Sequence, residues 1–195
     1  MISVIIPTRE SERALVPTLA ALVPGATAGL IAEVIVADAA SRDATAEVAD
    51  IAGCRFLSSD EPLGPRLTAA AQTAKAAWLM FLRPGCVPEP GWIGAVEQFL
   101  EAVTDAGLTP CAVFRARPTS EGLRPGLIEA LAVLRASCAA PKPEQSLLIA
   151  KQFYLGLGGH PETVDPETAL LRRIGRRRLA LLAAGISKLS AHSRA

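Results

Sequence analysis

Short apolar runs alternate with longer amphipathic segments over the first 117 residues. Residues 3–7 (SVIIP) form a β-branched run that stops at Pro7-Thr8, as a buried strand does when it enters a loop. Ser11 precedes Glu12 and apolar positions at Leu15, Leu19 and Leu22, which predicts a helix capped by Ser11 and ending before Pro24-Gly25. Residues 32–37 (AEVIVA) read as a second buried strand with Asp38 at its end. Ser41 or Asp43 can cap a helix over 44–51. A strand over 54–57, an Ala-rich helix over 65–77 and a strand over 78–82 follow. A helix over 90–103 carries Pro90 near its start, where a missing N–H costs nothing. A fifth strand is expected over 111–116.

Strands that alternate with helices in this way predict right-handed β-α-β units and a mostly parallel sheet covered on both faces. Ligands of such sheets sit at the carboxyl ends of the strands. Residues 8–10, 38–43, 58–66 and 83–85 should therefore meet at one edge. After residue 117 the pattern changes. It gives a helix over 122–137, a short strand over 146–150, and a helix over 151–157 ending at Gly158-Gly159, a C-cap signal. A helix over 166–174 stops at Gly175, and a last strand covers 178–182. No repeat or linker breaks the chain, so residues 1–195 read as one domain.

Composition narrows the classes. Half of the 195 residues are hydrophobic and a fifth are charged, with a net charge of +1, so the chain is globular and bulk charge points to no nucleic acid. Aromatic residues are 4%, too few for base-stacking platforms. Residues 1–6 are too short for a signal sequence and lack a basic start. No apolar stretch approaches a membrane span. The four cysteines, Cys54, Cys86, Cys111 and Cys138, have no C-x-x-C spacing and read as free thiols of a reducing cytoplasm. With only His160 and His192 to add nitrogen, a zinc site is not expected.

Four stretches carry a family resemblance. "VIIPTRESE" is similar to an opening strand followed by a Pro-Thr-x-Asn-Glu-Glu turn. "EVIVADAASRDAT" resembles Val-Ile-Val-Val-Asp-x-Gly-Ser-x-Asp-Gly-Thr, with Asp38, Ser41, Asp43 and Thr45 kept. "WLMFLRPGCVPEPGWI" matches a strand, a metal-motif turn and a Pro-Gly-Trp. "EQSLLIAKQFYLGLGGHPE" resembles an acceptor-side segment, keeping Gln145, Leu157, Gly158, Gly159 and Glu162. In this order they resemble family 2 glycosyltransferases of the GT-A fold. The resemblance implies a GT-A-like α/β sandwich with a mostly parallel central sheet. Residues 1–117 would be the nucleotide-binding half and residues 118–195 the acceptor-side half. It implies a UDP- or GDP-linked sugar donor bound by Pro7, Thr8, Glu10, Asp38, Arg66, Arg83 and Gly85. The acceptor side would hold Gln145, Gly158, Gly159 and His160.

The chain departs from that family in two places. Where the family has Asp-x-Asp, which binds Mg²⁺ or Mn²⁺ on the diphosphate, this chain has Arg83-Pro84-Gly85. No other carboxylate pair stands at a strand end, so no metal and no other cofactor is expected. Arg83 can pair with diphosphate directly, or it is a surface arginine left after the acids were lost. Arg66 has the same two readings. The family's catalytic carboxylate also has no aligned equivalent. Asp165 and Glu162 lie nearest, and Asp165 before Pro166 and Thr168 is a helix N-cap as well. Two functions follow. One is a metal-independent sugar transferase. The other is a catalytically inactive GT-A domain that binds a nucleotide, a glycan or a protein. Peripheral membrane contact and oligomeric state stay open.

Overall fold

The computed structural model describes residues 1–106, 111–116 and 146–188. The helix expected over 122–137 lies outside them, as do Cys138, Gln145 and His192. Eight strands form one sheet: β1 (Ile2–Thr8), β2 (Ile31–Asp38), β3 (Arg55–Ser58), β4 (Trp78–Phe81), β5 (Cys86–Pro88), β6 (Cys111–Ala116), β7 (Leu147–Ala150) and β8 (Ala180–Lys188). Their order is β3-β2-β1-β4-β7-β6-β8-β5. β3, β2, β1 and β4 are all parallel. β7 and β5 run against the rest. The helices are α1 (Glu12–Thr27), α2 (Thr45–Ile51), α3 (Leu63–Thr73), α4 (Trp92–Ala106), α5 (Lys151–Gly156) and α6 (Pro166–Ile174), with a 3-10 turn at Arg176–Arg178.

Successive strand residues point to opposite faces, and both faces are buried. Val4, Ile6, Val36, Met80 and Leu148 belong to one core cluster, together with Leu15 and Leu22 of α1 and Trp92 and Val96 of α4. Ile5, Ile35, Leu79, Phe81 and Ile149 belong to the other, with Leu67 and Ala71 of α3, Tyr154 of α5 and Leu170 of α6. A two-sided sheet explains why its strands read as continuous apolar runs instead of alternating ones.

Three expectations are corrected. The first helix does not stop before Pro24 but runs on to Thr27, with Pro17 and Pro24 inside it. Pro24 is exposed, so the carbonyl it leaves unpaired can meet water. The next residue, Gly25, is buried against the Trp92 ring. Ser11 does not cap that helix: its Oγ bonds the Arg9 carbonyl instead. The last strand extends to Lys188, with Leu182, Ala184 and Ile186 alternately buried. β5 was not foreseen; three residues between turns give no periodic signal.

Trp92 is 3% exposed, and a Cβ on Gly25 would stand 2.5 Å from its ring. Trp92→Ala should cost about 3–5 kcal/mol in urea unfolding. Gly25→Ala should destabilise the wild type but cost much less in the Trp92→Ala background. Additive effects of the two changes would show that this contact does not hold α1 to α4.

Candidate functional site

Parallel pairing sets Thr8 opposite Asp38 and Asp38 opposite Ser58. Ile5 lies opposite Phe81, and Leu82 N donates to Ile5 O at 3.0 Å, so Arg83 emerges at the same edge. The loops there surround an open cleft of about 690 Å³. Its lining comes from Pro7 and Thr8 at the end of β1 and Arg9 beyond it, Ala39 after β2, residues 60–63 and Arg66 around the start of α3, and Arg83 and Pro84 after β4. Glu167 and Lys188 join them from the second half of the chain.

Asp38 does not line the cleft. It is fully buried, and its carboxylate accepts from Thr8 Oγ1 at 2.7 Å, Ser41 Oγ at 2.6 Å and Ser41 N at 2.7 Å. Ser41 Oγ in turn accepts from Glu10 N at 2.8 Å. Glu10 has a left-handed backbone, φ 46°, and its carboxylate accepts from Arg42 N and Asp43 N at 2.9 and 3.2 Å. The helix starts are then capped crosswise. Asp43 Oδ2 accepts from Glu12 N and Glu12 Oε2 from Ala44 N, each at 3.1 Å. Asp43 also accepts from Thr45 Oγ1, and this bond comes first in holding its carboxyl below the usual range. Asp38 and Glu10 therefore shape the loops around the cleft, and neither forms its surface.

Arg66 is 8% exposed and lines the cleft. Its Nε makes no hydrogen bond among the described residues. Burial draws its pKa down, the Asp38 carboxylate opposes that, and Arg9 adds to it. Arginine stays protonated nonetheless. Arg83 is different, because its Nε donates to Glu167 Oε1 at 3.0 Å and Nη2 pairs with Glu167 Oε2. Gly85 has φ 81° and donates its N–H to Ala14 O and Thr18 Oγ1, each at 2.9 Å. It ties the turn to α1 and does not line the cleft.

Neither Glu162 nor Asp165 lines the cleft; both are exposed. Asp165 accepts from Thr168 N at 3.1 Å and caps α6. The Thr168 contacts, then Arg83 and Arg172, hold its carboxyl below the usual range, which makes it a weaker proton acceptor. The carboxylate that the second half of the chain brings to the cleft wall is Glu167, two residues further on, with Asp60 and Glu61 lining the cleft from the loop before α3. Sequence reading missed it because Pro-Glu-Thr after a cap reads as an ordinary first turn. Arg9 lies in the 8–10 stretch expected at this edge, though without an assigned role; Lys188 was missed, because a strand-end cation carries no local signal.

Gly158 and Gly159 have φ of 82° and 71° and close α5 onto α3. A Cβ on Gly159 would stand 2.6 Å from Thr68 Oγ1. His160 is buried under Phe81. Its Nδ1 lies 2.7 Å from Tyr154 Oη, which accepts the His160 N–H at 3.1 Å and lies 3.3 Å from Thr68 Oγ1. Burial pushes the His160 pKa down to about 3 and, against the Thr68 and His160 hydrogen bonds, the Tyr154 phenol up to about 12. Burial likewise raises the Cys54 thiol to about 11 and Cys111 to about 12. These thiols stay protonated and are poor nucleophiles.

The sequence profile described as glycosyl transferase family 2 matches residues 3–139. The chain belongs to this family. No curated protein matches it in sequence. Among solved structures it is similar to glucosyl-3-phosphoglycerate synthase from Mycobacterium tuberculosis in complex with Mn²⁺, UDP and glucosyl-3-phosphoglycerate. The two are 21% identical with a TM-score of 0.70, over 97% of this chain and 72% of that one. The same enzyme with Mn²⁺ and UDP-glucose gives 21% and 0.70, over 97% and 71%. Residues 1–349 of S. aureus TarS in complex with UDP give 14% and 0.67, over 93% and 57%. These likenesses establish the GT-A fold with its mostly parallel central sheet.

The divalent metal that this family 2 fold implies does not fit the residues at its usual position. A hard cation needs several oxygen ligands. Arg83 and Gly85 offer a guanidinium and a glycine, and the nearby Glu167 carboxylate is taken by Arg83. Among the described residues no cluster of His, Cys, Asp and Glu could hold an ion. No described helix is long and apolar enough to cross a membrane.

A neutral buried histidine gives a signed pH dependence. Unfolded His160 takes up a proton near pH 6.5, while the folded state does so only near pH 3. Between these values the unfolded state binds more protons, so stability falls as pH falls, by up to about 1.4 kcal/mol per pH unit. Urea unfolding from pH 6.5 to 4.5 should show this slope, and His160→Gln should flatten it. An equal slope in both proteins would mean that His160 is protonated when folded.

Proposed function

We propose that the cleft binds a nucleoside-diphosphate sugar, UDP-linked by preference, and that the chain transfers the sugar to an acceptor hydroxyl without a divalent metal. The observation that carries this reading is Arg66, a cation held almost out of water at the cleft wall with an Nε that no described group satisfies. A buried donor left unpaired costs about 1–3 kcal/mol, and a diphosphate oxygen relieves that cost. Arg9 and Lys188 line the same cleft and add positive charge for a leaving diphosphate. Pro7 and Thr8 form the side nearest β2, where a base and ribose would lie, with Asp38 and Glu10 fixing their loops. Gly85 sets the course of the turn that carries Arg83. Gln145, Gly158, Gly159 and His160 are assigned to the acceptor side, with Glu162 and Asp165 as carboxylates of its rim. Residues 1–117 serve the donor and residues 118–195 the acceptor. Buried protonated thiols suit the cytoplasm.

A second reading has its own support. Asp165 is committed to a helix cap and Glu167 to Arg83, so neither is free to serve as a base; the other carboxylates lining the cleft, Asp60 and Glu61, stand on the α3 side. That favours a domain that binds the nucleotide and transfers nothing. Release of glucose or formation of a glucoside from UDP-glucose separates the two, since the binding domain would give neither.

Calorimetric titration in EDTA should show UDP binding tighter than uridine. Arg66→Ala should weaken UDP about 10- to 100-fold, the worth of one charge-assisted contact, and leave uridine nearly unchanged. Binding that requires Mn²⁺, or no binding of UDP, GDP or their sugars, would refute the proposal.

A further inference from the structure

The Arg83–Glu167 pair is not a plain surface bridge. It joins the turn after β4 to the first turn of α6, 84 residues apart, at the wall of the cleft that both residues line. The Glu167 side chain is 10% exposed and that of Arg83 36%. The carboxylate thus sits deep with both oxygens on the guanidinium, while the guanidinium reaches the opening. Glu167 also lines a second chamber, of about 20 Å³, shared with Phe81, His160 and Ser146. That is room for about one water. Ser146 is 3% exposed, and its Oγ has no hydrogen bond among the described residues. Its φ is 54°, a left-handed conformation that a serine seldom adopts. A buried hydroxyl without a partner, in a chamber shared with a carboxylate, is a place for that carboxylate to turn.

We propose that Arg83 and Glu167 form an exchangeable ion pair, in which Glu167 occupies Arg83 until a donor diphosphate displaces it and Ser146 then receives the freed carboxylate. This rests on the donor reading of the cleft. Glu167 is an internal competitor for the diphosphate. It keeps the Arg83 cation compensated in the empty cleft and sets the affinity of the filled one. Ser146 lowers the cost of exchange by supplying a hydrogen bond where Glu167 lands. Mononucleosides, which bring no phosphate, leave the pair closed.

UDP and uridine are titrated by calorimetry, in EDTA, into the wild type, Glu167→Gln, Ser146→Ala and the double variant. Glu167→Gln removes the competing charge and should tighten UDP about 3- to 10-fold without changing uridine. Ser146→Ala should weaken UDP about 3-fold, and this effect should vanish in the Glu167→Gln background, where no carboxylate needs receiving. Unchanged or weaker UDP binding by a folded Glu167→Gln overturns the exchange. So does a Ser146→Ala effect of equal size in both backgrounds. If Glu167→Gln does not fold, the Arg83 Nε–H resonance of the wild type decides. It should shift with UDP and not with uridine, and a signal unmoved at saturating UDP ends the proposal. Should wild type bind UDP, with Arg66→Ala weakening it, while the exchange tests fail, the donor reading stands and only the exchange falls. Should wild type bind no nucleotide, both fall.

Discussion

The carboxylate of Asp38 holds the functional edge of the sheet together. It is fully buried, and a buried charge persists only when its hydrogen bonds are supplied. Thr8 at the end of β1 and Ser41 in the loop after β2 supply them. Everything at the first rim follows from that requirement. Ser41 fixes Glu10, Glu10 fixes the backbone of Arg42 and Asp43, and the crosswise caps of Glu12 and Asp43 fix where α1 and α2 begin. The first-strand loop that carries Pro7, Thr8 and Arg9 into the cleft has little freedom left. A charge at the end of β2 thus acts on the cleft through two layers of hydrogen bonds.

The rest of the cleft is a balance of charges that do not all have partners. Arg66 is desolvated with an unpartnered Nε, whereas Arg83 is compensated by Glu167. On the proposed reading, one cation is ready for an anion and the other must first give up a carboxylate. Fixed arginines at a strand edge can hold phosphate bidentately, which a family 2 fold ordinarily arranges with a metal. If side chains take the place of an ion, as proposed, the design problem changes. An ion arrives with its substrate, but a guanidinium is always present and needs a counter-charge when the cleft is empty.

The two halves of the chain meet at this point. Residues 160 and 167 come from beyond Gly158 and Gly159, yet Glu167 reaches the turn after β4 and His160 packs on Phe81 of β4. The left-handed Gly158 and Gly159 permit the close approach of α5 to Thr68 on α3. Without it the helix carrying Glu167 would start elsewhere, and the cleft would lose a wall.

Much of the fold was legible because strands buried on both faces and helices buried on one leave different apolar patterns. β1, β2, β4 and β6 were found within a residue or two, and α6 was found with its Asp165 cap. The edge that gathers Thr8, Asp38 and Arg83 followed from parallel connection alone. Local rules failed where a distant contact outweighed them. Pro24 does not end α1, because Gly25 and Trp92 pack beyond it. Ser11 does not cap α1, because Asp43 arrives from another loop. The sequence by itself determined the layered α/β architecture, the loops that meet at the cleft and the absence of an acid pair at residues 83–85. Those depend on local periodicity and on which residue types stand at strand ends. Only the tertiary structure decided that Arg83 is paired while Arg66 has an unsatisfied donor, and that Glu167 is the carboxylate that pairs with Arg83 at the wall. Burial and charge pairing are set by residues far apart in the chain, and no local pattern records them.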